Sequence, residues 1–239
     1  MNKHRSLDAA GTVIYKASMI KGPKKSTGEI GATKITQTAE GPRAEIIPTT
    51  LPSDKEGLEK FFAERFVEQF NADRPLGPQI ATSDLVQNDT SDLDFSIKST
   101  VADYLELAEL NPRSQRFGRA AYRTGKINVY EYAHWIFFRV IRKKARSYGV
   151  TAGRTILLLY VTHWQFYPNE RIIECLNSLV RQNGCDFAAV FAMLTNGSDL
   201  RILKPVHPYL GPSLPAPSKY SGFTFTNLEP GHCSWRIDP

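Results

Sequence analysis

Ser91-Asp92-Leu93-Asp94-Phe95-Ser96-Ile97-Lys98-Ser99-Thr100-Val101-Ala102-Asp103-Tyr104-Leu105-Glu106-Leu107-Ala108-Glu109-Leu110-Asn111-Pro112 is the stretch whose reading decides the fold. It divides into two runs joined by a short polar turn. In the first, Leu93, Phe95 and Ile97 alternate with Asp92, Asp94, Ser96 and Lys98. In the second, Leu105 and Leu107 alternate with Tyr104, Glu106 and Ala108. Period-two alternation marks strands with two unlike faces. If the two strands pair with their apolar faces together, Asp94 and Glu106 share the other face. Carboxylates on neighbouring strands can hold a divalent cation through oxygen ligands. The same alternation also suits a sheet with one polar, solvated face.

Working outward, the preceding segment reads as a helix capped by Ser53 or Asp54 and running to about Asn71. Leu58, Phe62, Phe66 and Phe70 make one apolar stripe along it. Glu59 lies inside that stripe, where a carboxylate is costly unless something pairs with it. Gln79 to Val86 reads as a further strand, which makes a three-strand meander with the two runs above. On the other side, Asn128 to Tyr148 reads as a long amphipathic helix stopped by Gly149. Val129, Ala133, Ile136, Phe137, Val140 and Ile141 form its buried face, and Lys144 continues that face. A lysine there either pairs with a buried group or snorkels past the helix end.

Thr155 to Thr162 is a continuous apolar run suited to a central strand, and Phe187 to Leu194 is another. The helix between them, Asn169 to Gln182, makes this a parallel pair with a crossover. The expected fold class is therefore α/β with a mixed central sheet: helix, three-strand meander, helix, strand, helix, strand. Three segments follow: residues 1 to 45 as a basic flexible segment, 46 to 205 as the core domain, and a proline-rich wrap from 206 onward with one edge strand at Phe223 to Asn227.

The chain has 239 residues, a formal net charge of +6 and a pI near 9.2. A basic balance of this size points to a polyanionic partner such as nucleic acid. Arg113, Arg116, Arg119 and Arg123, in a loop that breaks both periodicities, are the candidate phosphate contacts. Cys175, Cys185 and Cys233 form no CxxC pair, so neither a zinc site nor a disulfide framework is indicated. Sparse cysteines and the lack of an apolar leader in Met1 to Leu7 point to the cytoplasm. The strongest apolar run, Ile156 to Val161, is too short to span a bilayer.

The order of elements, with an inward glutamate on the first helix and an acidic pair on the meander, resembles the restriction-endonuclease-like superfamily with its PD-(D/E)xK motif. The resemblance covers about residues 54 to 205. It places the motif aspartate at Asp94, the acidic member of the second half-motif at Glu106, and the helix glutamate at Glu59. The motif lysine falls on Ala108, and no proline precedes Asp94. Lys144 and Lys98 are the two replacements within reach of the same face. The resemblance implies a metal-dependent nuclease with Mg²⁺ or Mn²⁺ held by Asp94, Glu106 and Glu59, and with DNA as substrate ahead of RNA. No membrane partner is implied, and a homodimer is left open. The displaced lysine keeps a second reading in play: a catalytically inactive nuclease-fold protein that binds nucleic acid or a protein partner.

Overall fold

The computed structural model describes residues 5–7, 13–15, 30–39, 41–88, 93–111, 126–163, 166–195, 201–208, 222–227 and 233–237. In chain order the strands are β1 (Arg5–Leu7), β2 (Val13–Tyr15), β3 (Gly31–Thr38), β4 (Gly41–Pro48), β5 (Leu85–Gln87), β6 (Phe95–Ile97), β7 (Tyr104–Glu109), β8 (Lys126–Asn128), β9 (Thr155–Tyr160), β10 (Ala189–Thr195), β11 (Arg201–His207), β12 (Gly222–Asn227) and β13 (Cys233–Ile237). The helices are α1 (Lys55–Ala72), α2 (Val129–Trp135), α3 (Arg142–Tyr148) and α4 (Glu170–Asn183). A π-helical stretch, Ile136–Ile141, joins α2 to α3 without a break.

A six-stranded mixed sheet in the order β11-β10-β9-β7-β6-β5 forms the centre. β5, β6 and β7 are an antiparallel meander, β7, β9 and β10 run parallel, and β11 closes the far edge antiparallel to β10. Every residue of β9 is buried, as expected of a central strand whose two faces are both covered. Its side chains divide between two cores. Leu157 and Leu159 pack with Tyr132, Ile136, Phe137 and Leu176 from the α2–α4 side. Ile156, Leu158 and Tyr160 pack with Phe62, Phe66 and Phe70 of α1 on the other side. The result is a sheet between two helical layers.

Asp54 caps α1 by accepting a hydrogen bond from the Gly57 N–H at 2.7 Å. Near the other end, Asn71 clamps the incoming chain. Its Nδ2 donates to the Ile80 carbonyl at 2.7 Å, and its Oδ1 accepts from the Ile80 N–H at 3.0 Å. Ile80 is fully buried, so no water can replace that pair. Asn71→Ala is expected to cost about 2 kcal/mol, the penalty for orphaning buried backbone groups, read as a lowered urea midpoint at unchanged m.

Several boundaries differ from the sequence reading. The first meander strand is short, because Thr82–Asp84 forms a 3₁₀ turn where a strand from Gln79 was expected. Asp84 tightens that turn by accepting from the Ala81 N–H at 3.2 Å. The second meander strand starts at Phe95 rather than Leu93. Within residues 1 to 45, expected as a flexible segment, β3 pairs with β4 as a hairpin and Ile30 lies in the α1-side core at 1% exposure. The single edge strand expected in the C-terminal segment, β12, is the middle strand of a three-stranded sheet, paired with β13 on one side and with β8, from ahead of α2, on the other. β11 has no counterpart in the sequence reading. Arg201 secures it by an ion pair to Glu68 of α1 at 2.7 Å. Among the described residues no helix is long and apolar enough to cross a membrane.

Candidate functional site

The register of β6 on β7 pairs Phe95 with Leu105, which places Asp94 opposite Glu106 at the mouth of the meander. Two reciprocal hydrogen bonds lock the carboxylates in place. Asp94 Oδ2 accepts from the Leu107 N–H at 2.8 Å, and Glu106 Oε2 accepts from the Asp94 N–H at 3.2 Å. Each carboxylate thus spends one oxygen on the main chain and turns the other toward an ammonium. Glu106 Oε1 takes the Lys144 ammonium in a direct ion pair. Asp94 Oδ1 lies 4.0 Å from the ammonium of Lys55. Lys55 in turn holds Glu59 at 3.0 Å, one helical turn along α1. Tyr148 adds a hydrogen bond to Glu106.

This arrangement follows from which face each residue occupies. Phe95, Leu105 and Leu107 pack toward α1, so Glu106 faces the α2–α4 layer, where Lys144 waits. Glu59 comes from the α1 side, in a helical face that is otherwise apolar. It shares its ammonium with Asp94 at the end of the short strand β6. Glu59 pairs with Lys55, and Lys144 pairs with Glu106.

Burial and mutual repulsion set the electrostatics. Asp94 is pushed above its usual carboxylate range by burial first, then by the charge of Glu59; the Leu107 N–H and the two lysines pull the other way. Glu106, with a side chain 3% exposed, is also raised, by burial first and by Asp94, against the pull of Lys144. For Lys55, burial is the largest single influence and acts downward. The bond to Glu59 and the charges of Glu59, Asp94 and Glu106 together outweigh it, so its ammonium is stabilised. The neighbouring Tyr160 phenol, stacked on Phe62 at 4.3 Å between ring centroids, is raised by burial and then by Glu109, Glu59 and Asp94.

Of the sequence-predicted residues, the structure brings together Glu59, Asp94, Glu106 and Lys144. Lys98 is left out. It lies on the exposed turn beyond β6, its N–H bonds the Asp84 carbonyl at 3.1 Å, and among the described residues its ammonium enters no ion pair. Arg113, Arg116, Arg119 and Arg123 lie outside the described residues. Lys55 and Tyr148 were not found from sequence. A signal for Lys55 existed: it is the first residue of α1, where the helix dipole disfavours a cation unless carboxylates compensate it.

Among the described residues no three His, Cys, Asp or Glu side chains stand at the spacing of a ready-made cation cage. Mg²⁺ does not ask for one, since it keeps several waters and binds through one or two carboxylates. Asp94 and Glu106 meet that requirement, being oxygen donors fixed by main-chain bonds and carrying charge that burial leaves poorly compensated. No protein-family model, curated protein or solved structure matches this chain.

Proposed function

We propose that this chain is a divalent-metal-dependent nuclease, a divergent relative of the restriction-endonuclease-like enzymes with its motif lysine supplied by Lys144. One observation carries the reading. Half-buried Asp94 and buried Glu106, side by side on adjacent strands, are interlocked through the main chain and meet an ammonium that arrives from a separate helix. A purely structural role is a poor account of that arrangement, because a half-buried and a buried carboxylate, both raised first by burial and then by a neighbouring carboxylate, cost stability.

Asp94 and Glu106 would hold Mg²⁺ or Mn²⁺, with Glu59 beside them. When bound, the cation lowers the pKa of an attacking water and neutralises charge on the phosphate. The chain's own groups do the rest. The reciprocal bonds to the Leu107 and Asp94 N–H groups fix the direction of both carboxylates. Lys144 keeps a positive charge at Glu106, where it can orient the attacking water and stabilise negative charge developing on the phosphate. Arg113, Arg116, Arg119 and Arg123 follow β7 closely in sequence and remain the proposed contacts to the nucleic-acid backbone, DNA ahead of RNA.

The test is cleavage of plasmid and single-stranded DNA with Mg²⁺ or Mn²⁺, compared with EDTA, for the wild type and Asp94→Ala. Metal-dependent cleavage that is lost in the variant is the expected result. Ala108 at the motif position favours one other reading, a binding module on the same fold. Binding without cleavage across Mg²⁺, Mn²⁺ and Co²⁺ would establish that reading instead.

A further inference from the structure

Lys55 is placed unlike any other charge in the site. It opens α1, at the end of the helix that repels cations, and is held there by Glu59 at 3.0 Å and Asp94 at 4.0 Å. Its side chain is 62% exposed, against 31% for Lys144, while the carboxylates it touches are 11% and 14% exposed. So the inner ammonium is built into the protein and the outer one sits at the mouth, where it can swing into water at little cost. Three carboxylates and two ammoniums leave the cluster with one negative charge in excess. A divalent cation would reverse that sign, and the lysine with the exposed stem is the one free to leave.

We propose that Lys55 is a displaceable counter-ion: it covers Glu59 and Asp94 while no divalent cation is bound, and on cation entry it turns outward to contact a phosphate of the nucleic-acid backbone. This rests on the metal-dependent reading above and adds an order of events to it. The cation and Lys55 compete for the same carboxylate oxygens, so the phosphate contact appears only once the cation is in place. The protein therefore grips a phosphodiester more firmly when it is loaded to cut one. The lysine is a positioning residue here. It touches the backbone of the substrate and does not need to touch the reacting atoms.

Two measurements on the full-length Lys55→Met and Lys55→Arg variants test this. The first is Mn²⁺ binding by calorimetry without nucleic acid. Lys55→Met is expected to bind Mn²⁺ about three- to tenfold more tightly than wild type, because the competing charge is gone, while Lys55→Arg stays within about twofold. The second is binding of a 30-base-pair duplex by anisotropy, in EDTA and in Ca²⁺. In Ca²⁺, Lys55→Met is expected to bind about three- to tenfold more weakly, with a salt slope reduced by about one. In EDTA, where Lys55 is engaged with the carboxylates, the loss should stay below about twofold. Equal losses in EDTA and Ca²⁺, or an unchanged or weaker Mn²⁺ affinity in Lys55→Met, would overturn the displacement. Failure of the wild type to bind Mn²⁺ at all would remove the metal-dependent reading itself, and the displacement with it. Mn²⁺ binding that is equal in wild type and Lys55→Met removes only the displacement.

Discussion

Lys144→Met is expected to lower metal-dependent cleavage by about 10²–10³-fold, the usual loss when one fixed charge aimed at a developing anion is removed. Lys98→Met should stay within about tenfold of wild type, about 1.4 kcal/mol in the barrier. The contrast comes from placement. Lys144 is in direct contact with Glu106, whereas Lys98 sits on an exposed turn with no ion pair among the described residues. Single-turnover rates at saturating Mn²⁺ separate the two. Breaking a buried ion pair can cost about 3–5 kcal/mol, which raises the question of whether Lys144→Met merely unfolds. The cost here should fall below that range. Lys144 is 31% exposed, Glu106 keeps bonds from Tyr148 and the Asp94 N–H, and it can take up a proton. The double variant Lys144→Met/Glu106→Gln removes the stranded charge. It should regain thermal stability and remain inactive. A double variant that cuts DNA would take the chemistry away from this pair.

Asp94→Asn is expected to abolish cleavage and, in the metal-free protein near pH 7, to raise the melting temperature. Asp94 is raised from its usual value of 3.8, chiefly by burial and then by Glu59. A carboxyl whose folded pKa is raised favours the native state below its unfolded pKa, and that advantage is lost as pH rises through the folded pKa. At neutral pH the charged Asp94 is therefore a burden on the metal-free fold, and Asn removes it. The gain should be a few degrees, at about 2–4 °C per kcal/mol for a chain of this size. It should shrink as pH falls through the raised folded pKa of Asp94, where the wild-type carboxyl takes up its proton. Saturating Mn²⁺ should reverse the order, because it stabilises the wild type by mass action and not the variant. Scanning fluorimetry against pH, with and without Mn²⁺, reads all three effects. A variant less stable than wild type at every pH would mean that the Leu107 N–H bond to Asp94 outweighs its charge.

The sequence was informative wherever one residue type broke a strict period. Glu59 in the α1 stripe, Lys144 in the helical face and the acidic alternation on the meander are such breaks, and the structure gathers all of them at one mouth. It was uninformative about partners. The two lone charges named no partner, and each found a near group, Glu59 with Lys55 four residues back and Lys144 with Glu106 on the strand beneath. Lys55 stood out less, because a charge at the exposed end of the stripe, one turn before Glu59, interrupts no run of apolar residues. β11 was hidden for another reason. Arg201-Ile-Leu-Lys-Pro-Val-His alternates poorly and contains a proline, which an edge strand tolerates and a central one does not. The β12–β13 pairing joins segments of the C-terminal stretch with β8, and such distant registers leave no mark on local composition.

The π-helical stretch Ile136–Ile141 lies immediately before the segment that carries Lys144. Such a stretch fits one more residue into the helix than an α-helical path of the same length would. The stretch absorbs that residue locally, so excising one exposed position such as Arg139 would relax it to a regular helix and leave Lys144 directed at Glu106, whereas excising a residue of α3 ahead of Lys144 would turn it by about 100°. In the first case the helix would be more regular and the site would keep its inner cation. In hereditary terms, this helix carries a slot in which a single codon can be gained or lost without resetting its phase.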